Sequence, residues 1–262
     1  MRIALGVEYD GSPFFGWQSQ VGGRTVQDAL QAALSSIACE PVSVIAAGRT
    51  DSGVHAVEQV IHFDTATERP LSAWVRGVNA FLPPSIAVLW AHPVPDEFHA
   101  RFSAQARSYY YVLINRAVRS ALYQGKAGWF HAPLAVEKMT EAAACLLGEH
   151  DFSAFRSAEC QAKSPLKNLT KLEIQQHGDV LIFYLTANAF LQHMVRNIVG
   201  SLVYIGKGRY PPQWMGEVMK SRNRNFAAPT FAPDGLYLLN VEYPAKWNLP
   251  QGNQATVSAP VK

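Results

Sequence analysis

The chain has 262 residues, of which 48% are hydrophobic and 16% are charged, and its formal net charge is +3. This is the composition of an ordinary soluble globular protein, long enough for about two average domains or one large one. No run of about 18 apolar residues is present, which excludes a membrane span, and the N-terminus lacks the apolar region of a signal peptide. A cytoplasmic protein without a membrane partner is therefore expected.

Alternating apolar residues predict a first strand over residues 2–10. Thr25 and Asp28 then resemble a capping box, and an apolar stripe from Val26 to Ile37 predicts the helix that follows it. The remaining elements of the first hundred residues are strands at 42–47 and 57–65, a helix at 71–81 that ends before two prolines, and a strand at 86–93.

A similar series of elements is predicted for the rest of the chain. It consists of a strand at 108–114, a helix at 135–147, a hairpin made of 169–175 and 180–186, an apolar helix at 190–205, a shorter helix opening at "PPQW", and a strand at 236–243. The repeated order favours an α/β or α+β sheet with helices on one face. We place the boundary between two halves at residue 104, giving domains 1–103 and 104–244 and a flexible tail at 245–262.

Cofactor signatures are missing from the sequence. The three cysteines are far apart, the eight histidines show no metal-site spacing, and no glycine-rich nucleotide loop occurs. We therefore expect no metal, nucleotide cofactor or redox cofactor.

Basic residues are concentrated in two tracts. Residues 98–136 contain no acid, and between Asp179 and Asp234 the only acid is Glu217. Aromatic residues interleaved with these cations are suited to a phosphate backbone and stacked bases. A solvated basic face explains either tract alone, but two tracts favour a polyanionic partner.

The loop "AAGRTDSGVHA", residues 46–56, lies between two predicted strands. Asp51 before Ser-Gly is a common turn former, and a structural role is the simpler interpretation of its spacing. However, Gly48 and Gly53 allow a ligand close to the backbone, and Arg49 and His55 supply further polar chemistry.

Five segments in order resolve this choice by resemblance. They are "YDGSPFFGWQSQ", "GRTDSGVHA", "FHARFSAQARSYYY", "NAFLQHMVRNIVG" and "DGLYL". Together they resemble the tRNA pseudouridine synthase A family over nearly the whole chain up to Pro244. The resemblance implies an α+β protein in which two ferredoxin-like halves form a pseudouridine synthase fold with a central cleft.

The family resemblance also implies an activity. The family isomerises uridine to pseudouridine at positions 38, 39 and 40 in the anticodon stem-loop of tRNA, so the chain is expected to be an isomerase. The reaction is redox-neutral, which agrees with the missing cofactor signatures. Family members resemble homodimers in which one tRNA lies across both subunits, so tRNA and a second copy are the implied partners.

Catalytic roles follow from the family pattern. Asp51 matches the nucleophile, whose attack on the uracil ring or on the ribose C1′ the sequence leaves open. Burial disfavours an ionised carboxylate and a nearby guanidinium favours it, so a buried nucleophile needs a cation, and the pattern assigns Arg196. Tyr109 matches a tyrosine that stacks on the target base and takes part in proton removal from C5.

Substrate contacts are assigned in the same way. A target uridine must leave the stack, and Arg49 is the candidate to fill the vacated space or hold a phosphate. Leu236 matches an apolar residue against the base. The hypothesised phosphate contacts are Arg101, Arg107, Lys163 and Lys167, with Arg222 and Arg224 as further candidates. His55 and His193 are alternative acid or base groups, for which a structural role is favoured.

Two departures and two alternatives accompany this interpretation. Ser52 stands where the family usually has alanine, and Tyr110 where many members have arginine, which removes a potential phosphate contact.

A non-catalytic RNA-binding module is the alternative function, although Asp51 would repel its ligand. A carboxylate glycosidase would need a second positioned acid, and the loop offers none.

Overall fold

The computed structural model describes residues 1–250, which divide into two compact units. The first unit contains Met1–Thr50, Ala56–Gln105 and the described residues from Asn240 onward. The second contains Asp51–His55 and Ala106–Leu239. This division differs from a single split at residue 104, because the Asp51 loop and the last strand make contacts far along the chain that a local pattern does not reveal.

The first unit is built on antiparallel strands in the order β4-β1-β3. These are β1 (Arg2–Tyr9), β3 (His55–Asp64) and β4 (Ile86–Val94), and the short β2 (Ile45–Ala46) pairs with β3. The sequence predicts one apolar face for β1, but both faces are buried. Ile3 and Leu5 are fully buried, while Ala4 packs with Val60 and Phe98 in a separate cluster.

Helix α1 (Val26–Ala38) begins at the predicted cap. The Thr25 hydroxyl oxygen accepts a hydrogen bond from the Asp28 amide at 3.2 Å, and the hydroxyl donates to the Asp28 carboxylate. The capping prediction is therefore confirmed. The predicted helix at 71–81 instead contains a π turn, Ala73–Gly77, that leads into α2 (Val78–Phe81). Such a turn depends on tertiary packing and leaves no clear period in the sequence.

The second unit has antiparallel strands in the order β5-β9-β8-β7. The strands of this unit are β5 (Ala106–Asn115), β6 (Gly128–Phe130), β7 (Gly148–Asp151), β8 (Leu166–His177) and β9 (Val180–Ala187). β6 pairs in parallel with β5, and β10 (Leu236–Glu242) begins beside β5. The hairpin of β8 and β9 is confirmed, whereas β6 and β7 are too short for their pattern to predict.

Three helices belong to the second unit: α3 (Val136–Ala144), α4 (Met194–Gly206) and α5 (Trp214–Ser221). α4 begins at Met194 rather than at the predicted Phe190, because His193 has a left-handed backbone with φ 65°. The 227–233 segment lies along α4, where the Ala228 amide donates to the Ser201 hydroxyl at 3.4 Å. Helices and strands occur in both units, so the α+β class is confirmed.

The chain remains packed beyond Pro244. The Tyr243 hydroxyl donates to the Ala100 carbonyl at 2.6 Å, and the Trp247 ring meets Phe98 edge-on with centroids 5.4 Å apart. Residues 245–247, assigned to the predicted tail at 245–262, are therefore part of the packed first unit. Residues 251–262 of that predicted tail lie outside the described residues.

Candidate active site

The loop that carries Asp51 is pinned on its N-terminal side by buried polar groups. Gln59 on β3 is fully buried. Its side-chain Nε2 donates to the Gly48 carbonyl at 2.6 Å, and its Oε1 accepts from the Gly48 backbone amide at 3.3 Å. Thr50 accepts at its carbonyl from the Trp17 amide and shares a 2.8 Å hydrogen bond with the Tyr9 hydroxyl. Burial raises the pKa of Tyr9 to about 12, so this hydroxyl stays protonated as the loop's partner.

The turn that follows is closed by the backbone. The Val54 amide donates to the Asp51 carbonyl at 3.1 Å, and Gly53 has φ 79°. A Cβ added at Gly53 would lie 3.1 Å from Pro233 Cγ, so the position is both conformationally special and crowded. Asp51 therefore occupies a turn, but its side chain is not the group that closes it.

The Asp51 carboxylate faces Arg196. Arg196 Nη1 donates to Asp51 Oδ2 at 2.9 Å, although 145 residues separate them in sequence. Arg196 is the third residue of α4, and its Nε donates to the Phe231 carbonyl at 2.8 Å. The Arg196 side chain is only 13% exposed. The predicted ion pair is thus confirmed, and the guanidinium does not reach out to solvent.

His193 is a second neighbour of the same carboxylate. Its Nε2 lies 3.4 Å from Asp51 Oδ2, and both side chains are about a quarter exposed, at 28% and 24%. His193 precedes α4 by one residue and caps no helix amide with its side chain. His55 is instead fully buried, with Nε2 3.2 Å from the Asp234 carbonyl and its ring stacked on Tyr237. The structure therefore brings His193, and not His55, to the Asp51 carboxylate.

The three consecutive tyrosines of β5 have different surroundings. Tyr109 is 8% exposed and meets Phe190 edge-on at 5.0 Å. Tyr110 stacks on Tyr237 with centroids 4.7 Å apart. Tyr111 is fully buried, its hydroxyl donates to the Ala232 carbonyl, and burial raises its pKa. Tyr111 is accordingly a core residue, whereas Tyr109 keeps a small exposed fraction.

Leu236 opens β10 directly after a tight turn. Its amide donates to the Pro233 carbonyl at 2.8 Å, and its side chain is 6% exposed. The preceding Gly235 leaves no room for a side chain, since a Cβ there would lie 2.3 Å from the Val112 carbonyl oxygen. Close packing against β5 therefore fixes Leu236 in the same unit as Asp51 and Tyr109.

The predicted phosphate contacts fall into two groups. Arg49, Arg101 and Lys163 are exposed. Arg107 is 9% exposed and donates to the Asn188 carbonyl at 2.9 Å. Lys167 donates to the carbonyls of Ser164 and Leu166, and partial burial lowers its pKa. Only the first group presents its charge to solvent, and the phosphate role of all five stays a prediction.

The two further candidates have partners within the chain. Arg222 lies 3.3 Å from the Asp151 carboxylate. Arg224 donates to the side chains of Asn197 and Thr230 and to two backbone carbonyls, and burial lowers its pKa. Arg224 therefore holds the 227–233 segment to α4.

Gln59 and the Phe231 carbonyl are site components that sequence reasoning missed. A lone glutamine in a strand carries no signal of burial, and a backbone carbonyl carries no residue signature at all. Within residues 1–250, no group of three or more His, Cys, Asp and Glu side chains could hold a metal ion. None of the helices in that range is long and apolar enough to span a membrane.

Comparison with known proteins identifies the family. The profile of the family described as tRNA pseudouridine synthase matches residues 6–103 and 142–244. A tRNA pseudouridine synthase A from Janthinobacterium sp. (strain Marseille) is 60% identical over 256 residues, covering 95% of this chain and 94% of the relative. One from Dechloromonas aromatica (strain RCB) is 58% identical over 253 residues, covering 97% of each chain.

The chain therefore belongs to the tRNA pseudouridine synthase family, whose members are isomerases. The family predicted from the sequence is confirmed, and with it the pseudouridine synthase fold class. Among solved structures, a Cbf5-Nop10-Gar1 complex is similar with a TM-score of 0.40 and 11% identity, covering 90% of this chain and 48% of that one. That likeness is too distant to support any inference about this chain.

Proposed function

We propose that this protein isomerises uridine to pseudouridine at positions 38, 39 and 40 in the anticodon stem-loop of tRNA, with Asp51 as the nucleophile. One observation carries the proposal. In a chain of this family, the carboxylate of the "GRTD" loop is paired at 2.9 Å with the arginine of "HMVRNIVG". A carboxylate that served only to close a turn would have no need of a fixed, largely buried guanidinium.

The reaction breaks the bond between ribose C1′ and uracil N1 and forms one between C1′ and C5. An Asp51 oxygen supplies an electron pair to uracil C6 or to ribose C1′, and both choices remain open. The C5 proton leaves and N1 gains one, so atoms and electrons balance without an oxidant. The carboxylate is released when the new glycosidic bond has formed. Arg196 balances its negative charge while it is free.

Other residues would prepare the base. Extruding a stacked uridine costs a few kcal/mol, and Arg49, exposed two residues before Asp51, is suited to fill the gap or hold a phosphate. Tyr109 would stack on the extruded uracil and help to remove the C5 proton, and Leu236 would pack against the ring. Arg101, Arg107, Lys163 and Lys167 are proposed phosphate contacts, for which the exposed positions of Arg101 and Lys163 are the better suited.

We also propose a homodimer in the cytoplasm that holds one tRNA across both subunits. The support is the family resemblance. Sedimentation of the free protein and of its tRNA complex tests this proposal, since a complex of one protein chain with one tRNA would contradict it.

The deciding experiment uses tRNA that carries tritium at C5 of its uridines. We expect the parent protein to release tritium and Asp51→Asn to release none while it still binds tRNA. Glu68→Gln is the matched control, because Glu68 is an exposed carboxylate outside the loop, and it should behave as the parent. Mapping of pseudouridine should place it at positions 38–40.

Other outcomes would contradict the proposal in distinguishable ways. Tight tRNA binding without tritium release by any form would leave a non-catalytic RNA-binding module. Release of free uracil would indicate a glycosidase. Tritium release by Asp51→Asn at the parent's rate would remove the nucleophile role while keeping the reaction.

A further inference from the structure

Two side chains meet the Asp51 carboxylate at the same oxygen. Arg196 Nη1 lies 2.9 Å and His193 Nε2 lies 3.4 Å from Asp51 Oδ2. Within residues 1–250, no side chain or amide donates a hydrogen bond to Oδ1. The carboxylate is thus held asymmetrically, because Arg196 donates a hydrogen bond to Oδ2 and the His193 imidazole lies beside the same oxygen.

The backbone of His193 is an independent indication. It has φ 65° and ψ 0°, a left-handed conformation that non-glycine residues avoid because it is strained. A residue at this position of a helix is usually extended and caps an amide with its side chain. His193 does neither, although its carbonyl accepts from the Asn197 amide at 2.9 Å and so starts α4.

The His193 side chain lies beside the Asp51 carboxylate and does not cap α4. Arg196, three residues later, is tied to the Phe231 carbonyl and the Asp51 carboxylate. His193 has no hydrogen bond to another side chain or carbonyl of the described residues, and the group that it approaches is Asp51 Oδ2. Strain of this kind is maintained by the surrounding structure and is concentrated at active sites.

We propose that His193 is a positioning residue which, together with Arg196, fixes Oδ2 of Asp51 and leaves Oδ1 as the attacking oxygen. This inference rests on the proposed function of Asp51 as nucleophile. Oδ1 donates the electron pair that forms the bond to C6 or C1′, and Oδ2 stays with Arg196 and His193. When the C5–C1′ bond forms, the pair returns to Oδ1 and the carboxylate is restored.

Substitutions at His193 separate positioning from folding. Glycine adopts the left-handed conformation without strain, so His193→Gly should fold with unchanged or higher thermal stability. We expect its kcat for tritium release to fall roughly ten- to hundred-fold, as for a small misplacement of a reacting group, with tRNA affinity within about two-fold of the parent. His193→Gln should recover most of the rate, because its side-chain amide reaches the position of the imidazole Nε2 as a donor.

Each alternative outcome overturns the inference. His193→Gly turning over at the parent's rate would exclude positioning by this side chain. A rate loss explained entirely by weaker tRNA binding or by unfolding would make the role structural. Failure of glutamine to restore the rate would indicate proton transfer or charge in place of positioning by a donor. An inactive parent would instead contradict the proposed function, which the same assay reports separately.

The oxygen assignment has its own test. In tRNA with 5-fluorouridine at the target position, fluorine replaces the hydrogen that must leave C5, so a bond between Asp51 and C6 is expected to persist, whereas a bond to C1′ is displaced when C5 attacks. A crystal structure of the parent with this RNA should have the bond at the oxygen that points away from Arg196. A bond at the oxygen contacted by Arg196 would overturn the assignment, as would an unbonded complex in which that oxygen is the one that faces ribose C1′.

Discussion

Arg196 and Phe231 are joined by hydrogen bonds in both directions. Arg196 Nε donates to the Phe231 carbonyl at 2.8 Å, and the Phe231 amide donates to the Arg196 carbonyl at 3.2 Å. The guanidinium is therefore held in place by backbone groups while Nη1 contacts Asp51. Fixed donors of this kind need no reorganisation during a reaction.

Arg196→Lys is predicted to lower turnover strongly. An ammonium group lacks the planar fork that reaches Phe231 and Asp51 together, and a hydrogen bond to a charged group contributes about 1.5–3 kcal/mol. We expect kcat to fall roughly ten- to hundred-fold with little change in tRNA affinity. Single-turnover tritium release measures this change. Arg76→Lys, at an exposed arginine outside the site, is the control, and equal rates for both variants would contradict the prediction.

Gly200→Ala should disturb the same support from a distance. A Cβ at Gly200 would lie 2.3 Å from the Pro229 carbonyl oxygen, so the 227–233 segment would have to move away from α4. Overpacking of this kind costs about 1–3 kcal/mol. We expect a lower free energy of unfolding and slower tritium release, since Phe231 belongs to the displaced segment.

Gly216→Ala is the matched control for this substitution. Gly216 lies in α5, and apart from its chain neighbours and the helix backbone around it, no atom of the described residues lies within 4 Å of a Cβ placed there. Alanine should therefore stabilise the helix by up to about 1 kcal/mol and leave turnover unchanged. Chemical denaturation and tritium release of both variants test the pair. A Gly200→Ala protein as stable and active as the parent would contradict the packing argument.

Local signals in the sequence predict much of this fold. β1, β4 and the β8–β9 hairpin follow period-two patterns, and α1 follows its capping residues. The parts that could not be predicted depend on distant contacts. The π turn at Ala73–Gly77 and the late start of α4 at His193 are set by tertiary packing and backbone conformation, which apolar periodicity does not encode.

The candidate site was predictable to a similar extent. Asp51 and Arg196 could be named because their motifs resemble a family, since each alone also suits a turn or a helix surface. Burial of Gln59 and the carbonyl of Phe231 could not be predicted, because neither leaves a pattern in the residue types. The predicted phosphate contacts also differ in exposure, and the sequence could not show this. Residue type alone does not distinguish the exposed Lys163 from the largely buried Arg107.

Salt dependence of tRNA binding should separate these cations. Each phosphate neutralised contributes roughly −0.7 to −0.9 to the slope of log affinity against log salt. Arg49→Ala and Lys163→Ala, at exposed positions, should each make the slope shallower by about that amount. Arg107→Ala should in addition lower the free energy of unfolding, because its Nη1 donates to the Asn188 carbonyl. Slopes unchanged in both surface variants would remove them from the RNA contact surface.

Stability at mildly acidic pH should depend on His62. Its side chain is 2% exposed, and its Nδ1 accepts from the Ala100 amide at 3.1 Å. The pKa of His62 is lowered to about 4, chiefly by burial and also by the nearby Arg2 and His99, with Asp64 acting in the opposite direction. The neutral ring is thus the form that the folded protein accommodates.

The sign of the pH effect follows from this lowered pKa. The unfolded chain binds a proton at His62 near its ordinary pKa of about 6.5, whereas the folded chain resists protonation until pH 4. The stabilising contribution is present above pH 6.5 and is lost as pH falls toward 4. At pH 5 the loss should be about 2 kcal/mol, at about 1.4 kcal/mol per pKa unit.

His62→Asn isolates this contribution, because an asparagine oxygen can still accept from the Ala100 amide. Urea denaturation between pH 7 and 5 should give a smaller loss of unfolding free energy for His62→Asn than for the parent. His177→Asn, at an exposed histidine of β8, should retain the parent's pH dependence. Identical pH profiles for the parent and His62→Asn would contradict the prediction, because a buried neutral imidazole must resist the proton that the unfolded chain accepts.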